Sequence, residues 1–267
     1  MVTVGELLQG GASVLNKEDA AALLCFLLKT DRAGLCLKRL DAVSKEVQSE
    51  YKKYVYMAQK NMPIAYITGE KEFYSLLFEV NESVLIPRPD TEILTEFAVK
   101  HADGKKVLDL CCGSGCIGIS IAKNSKCEIT LADISEDALK IAERNARRHD
   151  VRAKFLHLDI LNDEINEKYD MILSNPPYIE TFEIEKLDDS VRLFEPHLAL
   201  DGGEDGLKFY RIISSKAYTS LEKGGILAFE CGHAQADKIC KILSENYKNI
   251  QILCDYSNIR RVVTAFK

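Results

Sequence analysis

From Lys106 onward the chain alternates short apolar runs with amphipathic stretches, and this alternation constrains the fold more than any other feature. Lys106 to Leu110 precedes Cys116 to Lys123, Glu128 to Ala132 precedes Glu136 to Arg148, and Lys154 to His157 and Tyr169 to Ser174 follow. After a polar insertion come Leu207 to Leu221, Ile226 to Glu230 and Ala234 to Tyr247, and the chain closes on Ile250 to Cys254 and Val262 to Phe266. Strands separated by helices need crossover connections, which predicts an α/β fold with a mostly parallel, doubly wound sheet. The last two strands have no helix between them, so an antiparallel hairpin is expected at one edge.

The first sixty residues lack that alternation. Asn16 and Asp19 provide a capping pair ahead of the apolar stretch Ala20 to Leu28. Val43, Val47, Tyr51, Val55 and Met57 fall at helical spacing between Asp41 and Asn61. Residues 1–62 therefore read as a small helical docking domain. Pro63 breaks the last helix, and apolar residues alternate about Gly69 from Tyr66 to Val80, which suggests a β-hairpin linker over 63–90 with Ser83 to Ile86 as its second arm. Asp90 or Thr91 can cap the helix Glu92 to His101, opening a domain over 91–267.

Composition excludes several function classes. A length of 267 residues with 46% apolar and 28% charged residues is ordinary for a globular protein with a sizeable core. A net charge of −6 offers no general attraction to nucleic acid, so none is expected as a partner. The 9 cysteines form no Cys-x-x-Cys pair, which fits a reduced, cytoplasmic setting. Cys111, Cys112 and Cys116 cluster without a second ligand pair, so no metal is expected. The longest apolar run, Ala20 to Leu28, is far shorter than the ~20 residues that span a bilayer, and the N-terminus lacks a basic leader, so neither membrane insertion nor export is expected.

Two stretches carry chemistry. In the first, Val107-Leu-Asp-Leu-Cys-Cys-Gly-Ser-Gly-Cys-Ile-Gly118, a strand runs into a glycine-rich turn and a helix start. Gly113, Gly115 and Gly118 match G-x-G-x-x-G, and Asp133 follows at the spacing of a ribose partner. That pattern admits a dinucleotide. Asp109, just before the turn, would repel a pyrophosphate but attract the ammonium of S-adenosylmethionine, and either ligand carries the adenosine that Asp133 suits. Asp159, after the third strand, is placed to accept from an adenine amine; a solvated loop aspartate is the competing reading.

The second stretch, Tyr169-Asp-Met-Ile-Leu-Ser-Asn-Pro-Pro-Tyr178, is an apolar strand ending in a rigid corner. Two prolines without N–H groups stop the ladder and hold Asn175 and Tyr178 at the strand's carboxyl end, where open α/β sheets bind ligands. A plain strand-ending turn is the bland alternative. The chemical reading is more specific. A planar NH2 group has a delocalised lone pair and attacks a methyl donor poorly unless it is oriented. The Asn175 side-chain oxygen and the Pro176 carbonyl can each accept one of its N–H groups, Pro177 stiffens the pair, and the Tyr178 ring can pack on the planar group. Amides and the exocyclic amines of adenine or guanine in nucleic acid meet this requirement equally. The histidines are dispersed and none is needed as a base.

The residues resemble the HemK family of class I S-adenosylmethionine-dependent methyltransferases, which modify a glutamine amide in peptide chain release factors. The resemblance rests on Pro63-Ile-Ala-Tyr-Ile-Thr-Gly69, Leu85-Ile-Pro-Arg-Pro-Asp-Thr-Glu92, the glycine turn, Ser174-Asn-Pro-Pro-Tyr-Ile179, Glu195-Pro196, Asp201-Gly-Gly-Glu-Asp-Gly-Leu207 and Arg261-Val-Val263. It implies a Rossmann-like seven-stranded sheet with an antiparallel edge strand, a helical N-terminal domain that helps hold the release factor, and a Gly-Gly-Gln substrate loop at the catalytic cleft. Carried over by motif position, Cys111, Cys112, Gly113, Ser114, Gly115, Asp133, Ile160 and Asn175 line the cofactor site, and Asn175, Pro176, Pro177 and Tyr178 contact the glutamine. A monomer is expected. Cys111 and Asn258 both stand at or near positions where the family has glycine; asparagine tolerates a positive φ, whereas Cys111 bears on cofactor affinity.

Overall fold

The computed structural model describes residues 1–267, which divide into two compact units, Met1–Glu70 with Asp188–Phe194, and Lys71–Leu187 with Glu195–Lys267.

The first unit is helical: α1 (Val4–Ala12), α2 (Lys17–Leu28), α3 (Arg32–Leu37), α4 (Lys45–Gln59) and α5 (Ile64–Thr68). The first four begin on a side chain that accepts a backbone N–H of the first turn: Thr3 from Glu6, Asn16 from Asp19, Asp31 from Gly34 and Ser44 from Val47. Ser44 is why α4 starts at Lys45 rather than at Asp41. Leu23, Leu24, Tyr51, Val55 and Ile67 form the core. The Tyr51 hydroxyl donates to the Ala20 carbonyl at 3.1 Å, and its ring lies so close to Gly11 that a Cβ there would meet the hydroxyl at 2.0 Å. Small residue and large one are thus a matched pair.

The hairpin differs from its expected form. Residues Ile64–Thr68 are helical, and the strands are β1 (Glu70–Phe73) and β2 (Leu76–Glu79). Tyr74 and Ser75 connect them, both at positive φ, 50° and 60°. A two-residue turn of this hand matches the strand twist, but Tyr-Ser lacks the Asn-Gly signature by which such turns are read from sequence. Ser83 to Ile86 forms no strand; Val84 and Ile86 are buried, and the Ile86 N–H donates to Glu195 Oε2 at 3.2 Å.

The second unit is built on a seven-stranded sheet of β3 (Lys106–Leu110), β4 (Glu128–Asp133), β5 (Ala153–His157), β6 (Tyr169–Ser174), β7 (Leu221–Glu230), β8 (Lys248–Cys254) and β9 (Arg260–Phe266). Their spatial order is β5-β4-β3-β6-β7-β9-β8, with β9 antiparallel to both neighbours. One face is covered by α6 (Glu92–His101), α7 (Cys116–Asn124) and α8 (Glu136–Arg148), and the other by the Lys208–Ser220 and Ala236–Leu243 helices. Succession reverses between β3 and β6, so the carboxyl ends of these two strands open the crevice in which such sheets bind ligands.

Candidate active site

At the end of β3 the backbone enters the left-handed region at Cys111, Gly113 and Gly115, with φ of 58°, 53° and 77°. Gly115 starts α7, and a Cβ on it would lie 2.9 Å from Ile119 Cδ1; one on Gly118 would lie 2.3 Å from Leu131 Cδ2. These two glycines serve the packing of α7 on β4. At Gly113 a Cβ would meet nothing within 4 Å, because this glycine faces open space.

Asp109 sits behind the turn, fully buried, with Oδ2 accepting the Gly118 N–H at 2.9 Å. Its Oδ1 has no partner. Burial pushes the Asp109 carboxyl up to about 7; the Gly118 hydrogen bond opposes the rise and the nearby Asp133 charge adds to it. Asp133 closes β4 and braces the turn from the next strand. Its Oδ2 accepts the Gly113 N–H and its Oδ1 the Ser135 N–H, both at 2.9 Å. Burial raises its pKa against these backbone hydrogen bonds.

Above the turn lies a cleft whose lining includes Cys111, Cys112, Gly113, Ser114, Asp133, Asp159, Ile160, Asn175 and Pro177. Asp109, Gly115, Pro176 and Tyr178 do not line it. Asp159 folds its carboxylate onto its own loop, accepting from Leu161 N at 3.0 Å and from Asn162 Nδ2 at 2.6 Å. The cavity suits S-adenosylmethionine. Gly113 leaves room at the turn, and the Asp133 carboxylate, with one backbone donor per oxygen, keeps acceptor capacity for ribose hydroxyls. Leu158, Ile134, Ala138 and Leu161 offer apolar walls for a purine.

The Asn175-Pro176-Pro177-Tyr178 corner is held on both sides. Ser174 Oγ donates to the Leu110 carbonyl at 2.8 Å, tying β6 to β3. On the other side Ile179 bridges Asp201, and Gly202 and Gly206 pass so close that Cβ atoms there would meet Tyr178 Cα at 2.7 Å and Tyr178 O at 2.4 Å. Gln235 Nε2 donates to the Tyr178 carbonyl at 2.8 Å and to that of Gly206 at 3.2 Å. The glycine-rich loop is therefore a brace for the corner. Burial pushes the Tyr178 phenol up to about 12. Arg88, on the cavity wall, pairs with the buried Glu195 carboxylate, so the Pro-Arg-Pro and Glu-Pro motifs meet at one ion pair.

Sequence reasoning missed Thr91 and Glu230. Thr91 lines the cavity, and its hydroxyl is 3.5 Å from Asn175 Nδ2. Glu230 ends β7 and is 3% exposed. A carboxylate closing the wholly apolar run Ile226 to Phe229 was the available signal.

Residues 89–194 match the family described as Methyltransferase small domain, and residues 6–69 match PrmC N-terminal domain. Among solved structures, a methyltransferase from Pyrococcus furiosus aligns with a TM-score of 0.55 at 19% identity, covering 82% of this chain and 98% of that one. A T. thermophilus 16S rRNA methyltransferase in complex with AdoMet and guanosine aligns with a TM-score of 0.52 at 17% identity, covering 74% and 49%. These two share the fold, and fold, glycine turn and corner together define an S-adenosylmethionine-dependent methyltransferase. A release factor glutamine methyltransferase of Clostridium acetobutylicum is 42% identical over 94% of this chain and 91% of its own length, and one of Thermodesulfovibrio yellowstonii is 36% identical over 94% and 93%. The chain belongs to the release factor glutamine methyltransferase family.

Proposed function

We propose that this protein transfers a methyl group from S-adenosylmethionine to the side-chain amide nitrogen (N5) of the glutamine in the Gly-Gly-Gln motif of peptide chain release factors. The observation that carries the reading is that Asn175 and Pro177 open onto the same cavity as Gly113 and Asp133. The names of the relatives point to the same chemistry.

Gly113, Ser114, Asp133, Asp159 and Ile160 would hold the donor, which supplies an electrophilic methyl group on a sulfonium. The chain's task is then orientation. Asn175 Oδ1 and the Pro176 carbonyl accept the two amide N–H groups, so the nitrogen lone pair is turned toward the donor side of the cavity. The two prolines keep these acceptors fixed, so no reorganisation accompanies the reaction. The Tyr178 ring packs on the planar amide group. The surplus proton leaves to solvent after transfer, and no base is required. The helical N-terminal domain, residues 1–62, contributes to docking the protein substrate. The enzyme works as a cytoplasmic monomer without binding nucleic acid, consistent with its net charge of −6.

The test is radiolabelled methyl transfer to purified release factor, to a factor with the motif glutamine replaced by alanine, and to RNA and DNA. Label only on the intact factor is expected; label on nucleic acid and not on the factor overturns the reading. Asn175→Ala should lower turnover by about a hundredfold while leaving cofactor affinity nearly unchanged.

A further inference from the structure

Ser174 of β6 and Phe229 of β7 are register partners, so the next residues, Asn175 and Glu230, leave adjacent strands at the same carboxyl edge. Glu230 is a costly residue to place there. It is 3% exposed, and its Oε2 has no hydrogen-bond partner. On its other side β9 contributes Arg261, whose guanidinium is already held by Asp90 at 2.7 Å and Asp255 at 3.0 Å. The backbone at Glu230 is pinned, because the Tyr210 hydroxyl donates to its carbonyl at 2.9 Å. Burial raises the carboxyl's pKa, and hydrogen bonding from the Thr91 and Asn175 side chains acts in the opposite direction.

The two ends of an asparagine amide are nearly the same size, and only the surroundings decide which one faces the cleft. Thr91 Oγ1 lies 3.5 Å from Asn175 Nδ2, and an ionised carboxylate only accepts. The Thr91 hydroxyl, when it donates to the Glu230 carboxylate, is left with only lone pairs for Asn175, so with Glu230 ionised the pair selects the NH2 end. We propose that Glu230, together with Thr91, is a positioning residue that holds Asn175 with Nδ2 inward and Oδ1 toward the substrate nitrogen. This rests on the reading of Asn175 as an acceptor for that nitrogen.

The experiment measures kcat and KM for the release factor, and the dissociation constant of S-adenosylmethionine, in the wild type, Asn175→Ala, Glu230→Gln, Thr91→Val and Thr91→Ser. A glutamine at 230 presents an NH2 group as readily as an oxygen, so Glu230→Gln should lower kcat about tenfold with KM and cofactor affinity within twofold of wild type. Thr91→Val should lower kcat in the same way, and Thr91→Ser, which keeps the hydroxyl, should restore it. If wild type labels the factor and Asn175→Ala does not, an undiminished kcat in Glu230→Gln overturns the positioning role. A fall in kcat matched by equal loss of cofactor affinity also overturns it, since that marks a merely structural residue. An inactive wild type, or an active Asn175→Ala, fails the reading of the site itself.

Discussion

Gly202 lies against Tyr178 so closely that a Cβ at 202 would stand 2.7 Å from Tyr178 Cα and 2.9 Å from the Pro177 carbonyl oxygen. Both obstacles are backbone, so neither can rotate aside. Gly202→Ala should therefore displace the corner, at a cost of about 1–3 kcal/mol in stability. Turnover should fall more than cofactor affinity, because Gly113 and Asp133 are braced separately by β4. Calorimetric cofactor titration alongside steady-state methyl transfer checks this; equal losses in both would show that corner and glycine turn move as one.

Cys111 holds φ at 58°, a region that costs an ordinary side chain about 1–2 kcal/mol. Cys111→Gly should raise the denaturation midpoint, with a gain held below about 1 kcal/mol by the larger unfolded-state entropy of glycine. Cys111→Val, β-branched, should lower it. A lower midpoint for the glycine variant would mean that thiol packing outweighs the strain.

The alternation of apolar runs revealed the parallel sheet because strands buried on both faces and amphipathic helices have different periods. The glycine turn and Asn-Pro-Pro-Tyr were legible for a related reason: each is a local backbone constraint written in consecutive residues. Cys111 and Asn258, both at positive φ, stand at or near family glycine positions, so even the departures mark a conformational demand. What could not be read was contact between distant segments. Gly202 and Gly206 looked like loop residues until Tyr178 was found against them. Glu230 looked like a strand end, yet it follows Phe229, the ladder partner of Ser174, and so leaves its strand beside Asn175. Asp109 carries an attractive charge in sequence, yet it lies behind the cavity wall, because its partner is the Gly118 N–H of α7.

Asn145 joins three elements through one buried amide. Its Oδ1 accepts from Glu79 N at 2.7 Å, and its Nδ2 donates to the Glu79 carbonyl at 3.0 Å and the Ser114 carbonyl at 2.9 Å. Asn145→Ala leaves these backbone groups without their partner and should cost about 2–4 kcal/mol in chemical denaturation. It should also weaken cofactor binding, since Ser114 belongs to the turn that lines the cavity. Loss of stability with cofactor affinity intact would confine Asn145 to the hairpin.

Asp109 makes folding sensitive to pH in a direction opposite to that of most carboxylates. Its folded pKa is raised by burial to about 7 from an ordinary value of 3.8. The folded state therefore binds the extra proton between these values, and the stabilisation is fully present below the unfolded pKa and lost as pH rises through about 7. Asp109→Asn keeps an acceptor for the Gly118 N–H but removes the titration. Relative to wild type, the variant should gain stability from pH 5 to about pH 7, with a slope approaching about 1.4 kcal/mol per pH unit, and the difference should level off by about pH 8. Glu230, raised to about 7 by burial, contributes a similar slope to both proteins and cancels in the comparison. Urea denaturation of cofactor-free wild type and Asp109→Asn at each pH gives the difference directly. Parallel curves would show that Asp109 stays in one protonation state across this range, and that hydrogen bonding rather than burial governs its carboxyl.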